Sequence, residues 1–151
     1  QAAAGLSMEK DKFEAFKEKF EKVVAEKIQE HQKFPSITID SVIEIEDLNR
    51  DFFNFHRKLS PFGPHNMKPI LELRKQKVSG YVKQMGKDGN HLKFYIHQPV
   101  SGRNIECIGF KLGQYMDDFK TKNFDIAFTV EENHWKGNVT YYLNIRDVKF
   151  H

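Results

Sequence analysis

The chain has 151 residues, 39% hydrophobic and 13% aromatic, with 24 basic against 21 acidic side chains and a formal charge of +3. Fourteen Phe in so short a chain speak for a buried core and against disorder, while +3 is a weak lean toward a polyanion that only a local basic face could strengthen. No apolar run approaches the ~18 residues of a membrane-spanning helix, so a membrane partner is not expected. "QAAAGLS" lacks the basic and apolar regions of a signal peptide. The small-residue run "AAAG", with no Met at position 1, reads as the tail of an element that begins upstream.

From Asp11, Phe13, Phe16, Phe20, Val23, Val24 and Ile28 recur at helical spacing. Asp11 and Glu14 resemble a capping box, and "KFP" stops the helix at Pro35. "ITIDSVIEI" alternates imperfectly and is expected as a strand, interrupted at Ser41. "DLNRDFFNFHRKL" returns to helical spacing through Leu48, Phe52, Phe55 and Leu59. "SPFGPHNMKP" follows, a stretch of Pro, Gly and Asn that can be neither helix nor central strand. Yet it carries Phe62 and Met67, which a solvated spacer would not need.

Beyond the corner the pattern is of strands and turns. "ILELRKQKVSGYVKQM" reads as one long strand bent at Gly80. "GKDGN" is a hairpin turn, "HLKFYIHQ" the second strand and "NIECIGF" the third. "LGQYMDDFKTKN" is a short helix, its Asp117 and Asp118 on a solvated face. "FDIAFTVEE" and "VTYYLNIRDVKF" are the fourth and fifth strands, joined by "NHWKGN". The fold class expected is α+β, mainly β: a five-stranded OB-fold barrel, or another small barrel, preceded by an amphipathic helix and a strand-helix connector. The expected divisions are residues 1–34, 35–69 and 70–151.

The hairpin after Gly80 has a definite register. Leu92, Phe94 and Ile96 share one face, and Val78 and Val82 must meet them, so Val82 should oppose Phe94. A three-residue loop of Lys87, Asp88 and Gly89, with Gly89 in the left-handed region, satisfies that. Tyr81 then faces Tyr95 and Lys83 faces Lys93 on the outer side, with His97 further along and Lys75 and Lys77 nearby. Opposed like charges cost stability unless a polyanion neutralises them, and flat rings stack on bases while Lys follows phosphates. The plainer reading is that Tyr and Lys are ordinary exposed strand residues. Trp135 in its turn either folds over the barrel's end or offers a stacking platform beside Lys136.

Other chemistry is sparse. Cys107, the one cysteine, lies in an apolar run and reads as a core residue, as suits a reducing cytoplasm. Neither metal-ligand spacing nor a phosphate-cradling loop nor a nucleophile elbow occurs, so no catalytic residue and no metal ligand are expected.

These residues, taken in order, resemble the C-terminal part of the RecJ family of single-strand-specific DNA exonucleases, within the DHH phosphoesterase superfamily. "AAAGLSM" with its helix is similar to the end of the DHH-associated domain, whose Gly-Gly-His motif would lie upstream. "LSPFGPHNMKP" is similar to the family's Pro-Phe-Gly-x-Gly-Asn-Pro-x-Pro corner, with His65 in place of Gly and Met67 in place of Pro. "KDGNHLKF", "IGF" and "ENHWKGNVTYYLNIRDV" complete a likeness over nearly the whole chain. At His65 the glycine's conformation is not carried over, and Phe62 is expected to anchor the corner in the core. The resemblance implies a 5′-to-3′ exonuclease of the bacterial cytoplasm, acting in DNA repair and recombination. Its Mn or Mg would be held by a catalytic domain outside these residues. This chain would be its single-stranded-DNA-binding module, partnered by that catalytic DHH domain and by single-strand-binding protein. The alternative is a protein-interaction module whose basic face receives an acidic peptide, such as a single-strand-binding-protein tail.

Overall fold

The helical spacing of Phe13, Phe16 and Phe20 is realised as α1, Phe13–Lys27, in the computed structural model, which describes residues 5–28 and 36–151. A 3-10 turn at Lys10–Lys12 precedes it, and no side chain caps its first turn, so the Asp11–Glu14 capping box does not form. The Phe16 and Phe20 rings stack at 5.6 Å, and no α1 residue is fully buried. The stop expected at Pro35 lies outside the described residues. The chain divides into two compact units, Gln1–Ile37 and Thr38–His151.

Within the second unit, the expected strand over residues 37–45 shrinks to β1, Ser41–Val42, which runs parallel to β2, Leu71–Gln76. The polar groups on either side take other work. Asp40 Oδ2 accepts the Ile70 N–H, and Glu44 and Asp47 cap one another around a 3-10 turn at Ile45–Asp47. Asn49 then caps α2, Arg50–Lys58, its Oδ1 accepting the N–H groups of Asp51 and Phe52 at 3.0 Å each. The buried Gln98 amide fixes this connector to the barrel by donating to the Ile45 and Leu48 carbonyls at 2.7 and 3.2 Å.

The proline corner is ordered. Gly63 and Asn66 exchange backbone hydrogen bonds across Pro64 and His65, while Asn66 Nδ2 donates to the Leu59 and Pro61 carbonyls. His65 has φ 66°, so this L-residue occupies the left-handed conformation that a glycine there would favour, in the position that a type II turn requires. Phe62 is half-buried. It packs against the His56 ring at 5.3 Å and under the Lys68 ammonium rather than entering the core.

Seven strands form one mixed sheet. They continue as β3 Lys83–Met85, β4 His91–Gln98, β5 Arg103–Gly109, β6 Phe124–Trp135 and β7 Asn138–Phe150. Their order is β1-β2-β6-β7-β5-β4-β3, with β5 and β7 parallel. β2 and β3 are the two halves of the bent strand expected around Gly80, which has φ 80°. They stand toward opposite ends of the order, so the sheet curls back on itself through residues 77–82 without a closed hydrogen-bonded circuit. With those halves counted as one strand and β1 as an addition, this is the five-stranded Greek-key order.

Phe94, Phe124 and Phe128 fill the interior with Leu73, Leu92, Ile126 and Leu143. α3, Met116–Thr121, plugs it with Phe119, whose ring meets Phe94 at 4.6 Å, and Phe124 and Phe150 at 5.0 Å each. Cys107 is fully buried, and burial raises its thiol pKa well above the ordinary value. Gly113, just before α3, admits the β3–β4 loop. Its N–H donates to the Asn90 carbonyl, and a Cβ there would stand 2.2 Å from the Gly89 carbonyl oxygen.

Candidate nucleic-acid interface

A groove of about 650 Å³ runs between α2 and the outer face of the sheet. Three strands supply its floor through one cross-strand row: Tyr95 of β4 pairs with Glu106 of β5, which pairs with Tyr142 of β7. Alternation along each strand sends these side chains outward while Phe94, Cys107 and Leu143 go inward. Arg50 and Phe53 of α2 form one wall, and Arg103 stands at the start of β5. Phe53 and Tyr141 stack face to face, 4.3 Å apart at 10°, which joins the helix to β7.

Charge in the floor is largely compensated. Lys93 Nζ lies 2.6 Å from Glu106 Oε2, and the Tyr95 hydroxyl donates to the same oxygen at 3.2 Å. That hydrogen bond to Glu106 raises the Lys93 pKa, so its ammonium is held charged but already satisfied. Burial, then the Glu131 and Glu106 carboxylates, raise the Tyr142 pKa and keep its hydroxyl protonated. The floor thus offers two aromatic side chains around a carboxylate, with guanidinium groups at the margins. Such a surface suits flat, hydrogen-bonding ligands more than densely charged ones.

Of the nine residues expected from sequence, Lys93 and Tyr95 line this groove. Lys83 stands opposite Lys93 as expected, in a ladder that includes Gln84 with Leu92 and Met85 with His91. Val82 and Phe94 are both buried. The pairing of Tyr81 with Tyr95 does not form: the ladder ends at Lys83, and the Ser79 N–H donates to the Tyr95 carbonyl at 2.7 Å. Tyr81 is thrown outward at the Gly80 bend, 68% exposed, over a separate hollow with Val78 and Lys120. His97 is exposed, its Nδ1 3.0 Å from Asn104 Oδ1. Lys75, with φ 52°, sits in the β2 bulge, its N–H held by Asp125 Oδ1, and neither it nor the exposed Lys77 reaches the groove.

Trp135 does not fold over the barrel. It closes β6 opposite Asn138, across a two-residue turn of Lys136 and Gly137 with φ 47° and 81°. It is 68% exposed there, with Lys136 Nζ 5.9 Å from its ring centroid. Sequence reasoning missed Arg50, Phe53, Arg103, Glu106, Tyr141 and Tyr142. Glu106 carried a readable signal as the outward residue between Ile105 and Cys107, as did Tyr142 beside Leu143. The helix residues gave none, because their place against the sheet depends on the connector. Among the described residues no three His, Cys, Asp or Glu side chains gather as a metal ion would need, and no helix is long and apolar enough to cross a membrane.

The model of the RecJ OB domain family matches residues 39–147, a span that contains the whole groove. The single-stranded-DNA-specific exonuclease RecJ of Bacillus subtilis is 24% identical over 96% of this chain and 18% of its own length. That of Escherichia coli is 22% identical over 97% of this chain and 25% of its own. The crystal structure of RecJ from Thermus thermophilus in complex with Mn2+ superposes with a TM-score of 0.64 at 22% identity, covering 95% of this chain and 20% of the other. The likeness to that structure is one of fold. The chain spans between 18% and 25% of the length of these curated relatives.

Proposed function

Because the chain belongs to the RecJ OB domain family, we propose that its groove binds single-stranded DNA and holds the strand for a metal-dependent exonuclease active site elsewhere in the whole protein. The observation that carries this reading is the Tyr95–Glu106–Tyr142 row, flanked by Arg50 and Arg103. Aromatic side chains on an open sheet face stack unpaired bases, and guanidinium groups at the rim take phosphates. The exposed Trp135 with Lys136 offers a further stacking position at the β6–β7 tip. The described residues of this chain do not fit a metal ion, so Mn or Mg and hydrolysis are assigned to the catalytic DHH domain of the same protein. For the whole protein we propose a role in DNA repair and recombination in the bacterial cytoplasm.

Fluorescence anisotropy with a labelled 12-mer, as single strand and as duplex, and with an acidic peptide, tests the reading. Saturable binding of the single strand in preference to the duplex is expected. Binding of the acidic peptide alone would overturn it in favour of a protein partner. The Glu106 carboxylate in the floor disfavours that outcome.

A further inference from the structure

Glu106 is the anomaly of the groove. A site that only tracked phosphates would not place a carboxylate at the centre of its floor. Both contacts to Glu106, from Lys93 Nζ and from the Tyr95 hydroxyl, are made to Oε2. Oε1 has no partner among the described residues, and the side chain is 30% exposed. The carboxylate is therefore held in place by two neighbours and presents one free acceptor to the groove. Tyr95 and Tyr142 flank it on the adjacent strands, about 4.8 Å away on either side. The row therefore sets this free acceptor between two aromatic side chains.

We propose that Glu106 reads base identity, its Oε1 accepting a hydrogen bond from the exocyclic amine of cytosine, adenine or guanine, so that the groove discriminates against thymine. Cytosine N4 and adenine N6 are donors that a carboxylate accepts. Thymine has no exocyclic amine, and its one Watson–Crick-edge donor, N3–H, lies between two carbonyl oxygens whose lone pairs face the carboxylate. Like charge keeps phosphates away from Glu106, so the strand crosses here with its bases inward and its backbone toward Arg50 and Arg103. Because Lys93 and Tyr95 already order the carboxylate, little side-chain entropy is lost on binding. This inference rests on the reading of the groove as a single-strand site.

The test compares 12-mers with and without the exocyclic amine: oligo-dC against oligo-dU, and oligo-dA against oligomers of purine deoxyriboside, which differs from adenine in the amine alone. Binding of the 151-residue chain is measured by anisotropy at one salt concentration. The amine-bearing member of each pair is expected to bind about three- to tenfold tighter, as one charge-assisted hydrogen bond on a half-exposed surface allows. Glu106→Gln, whose amide both donates and accepts, should bring the dC:dU ratio close to one. Lys93→Met should keep the ratio above one, because the carboxylate remains. If Glu106→Gln does not fold, as read by thermal melting, the wild-type pairs and Lys93→Met decide alone. Equal binding of dC and dU by the wild type, or an unchanged ratio in Glu106→Gln, overturns the proposal and leaves the strand-binding function standing. Failure of every oligomer to bind overturns both.

Discussion

Two tyrosines of similar sequence context end in different surroundings. Tyr95 is half-buried in the groove and hydrogen-bonded to Glu106, whereas Tyr81 stands 68% exposed at the Gly80 bend. Tyr95→Ala is therefore expected to weaken single-strand binding by ~1–3 kcal/mol, the usual worth of one base–aromatic stack, with Tyr95→Phe retaining most of the affinity. Tyr81→Ala should change affinity by no more than about 0.5 kcal/mol. A reversal of that order in anisotropy titrations would move the binding face to the bend. His56 makes a different residue-level prediction. It is 4% exposed between Phe52 and Phe62, and its Nε2 has no partner among the described residues. Burial, and then the nearby Lys68 charge, push its pKa below the ordinary 6.5. The fold holds the neutral ring, and the unfolded chain takes up the proton first. This contribution is fully present above about pH 6.5 and is lost as pH falls through that value toward the lowered folded pKa. Urea midpoints at pH 7.5 and 5.5 should show a larger drop for wild type than for His56→Phe. The carboxylates of Glu132 and Asp125, whose pKa values are also lowered, add their loss only at more acid pH. Equal drops in the two proteins would mean that His56 is protonated in the fold.

The β3–β4 hairpin shows how far an element can be read from sequence. Its register followed from demanding that Val82 and Phe94 share the core, and Lys83 does stand opposite Lys93. Gly89 has φ 66° and donates its N–H to the Gly86 carbonyl, as a left-handed turn residue should. What could not be read was where the ladder stops. Gly80 permits a bend without specifying its direction, and that direction removes Tyr81 from Tyr95. Nor was the support beneath the loop visible, because it comes from Gly113, more than 20 positions from the turn. Gly113→Ala sets a Cβ against the Gly89 carbonyl, which is backbone and cannot rotate away. A destabilisation of at least ~1–3 kcal/mol, the cost of overpacking, is expected in chemical denaturation. Gly137→Ala would also be strained by its φ of 81°, but it meets no neighbour within 4 Å, so its cost should be the smaller. At the other hairpin, the turn signal in "NHWKGN" was real but its extent was overestimated, since the β6–β7 ladder continues to Trp135 and Asn138. Polar and exposed residues extend a two-stranded ribbon as readily as apolar ones, so alternation in burial gives no warning of its end. His65 teaches the complementary point. Asn66 binds the Leu59 and Pro61 carbonyls and closes the turn on Gly63, and those bonds offset the strain of a left-handed histidine.

Charge is the property that the whole molecule organises least obviously. The formal excess is +3, and part of the basic inventory is paired internally. Arg57 pairs with Glu132, Lys68 with Glu131, Arg74 with Glu72, Lys93 with Glu106 and Lys122 with Asp118. Within the groove Lys93 is already paired with Glu106, so a bound strand should gain more from stacking than from phosphate neutralisation. Arg50 and Arg103, which line the groove, form no ion pair among the described residues. If each contacts one phosphate, the single-strand coefficient of ~0.7 per contact gives a log–log salt slope of about −1 to −2. The four lysines 75, 77, 83 and 93, acting together, would give about −3, but Lys75 and Lys77 do not line the groove and Lys93 is already paired with Glu106. Glu106→Gln supplies the internal control. It frees Lys93 and takes a negative charge from the floor, so affinity for oligo-dU should rise and the slope steepen by about one contact, ~0.7. A wild-type slope of −3 or steeper that Glu106→Gln leaves unchanged would show that the backbone runs over Lys75, Lys77 and Lys83, on a path that misses the Tyr95–Glu106–Tyr142 row.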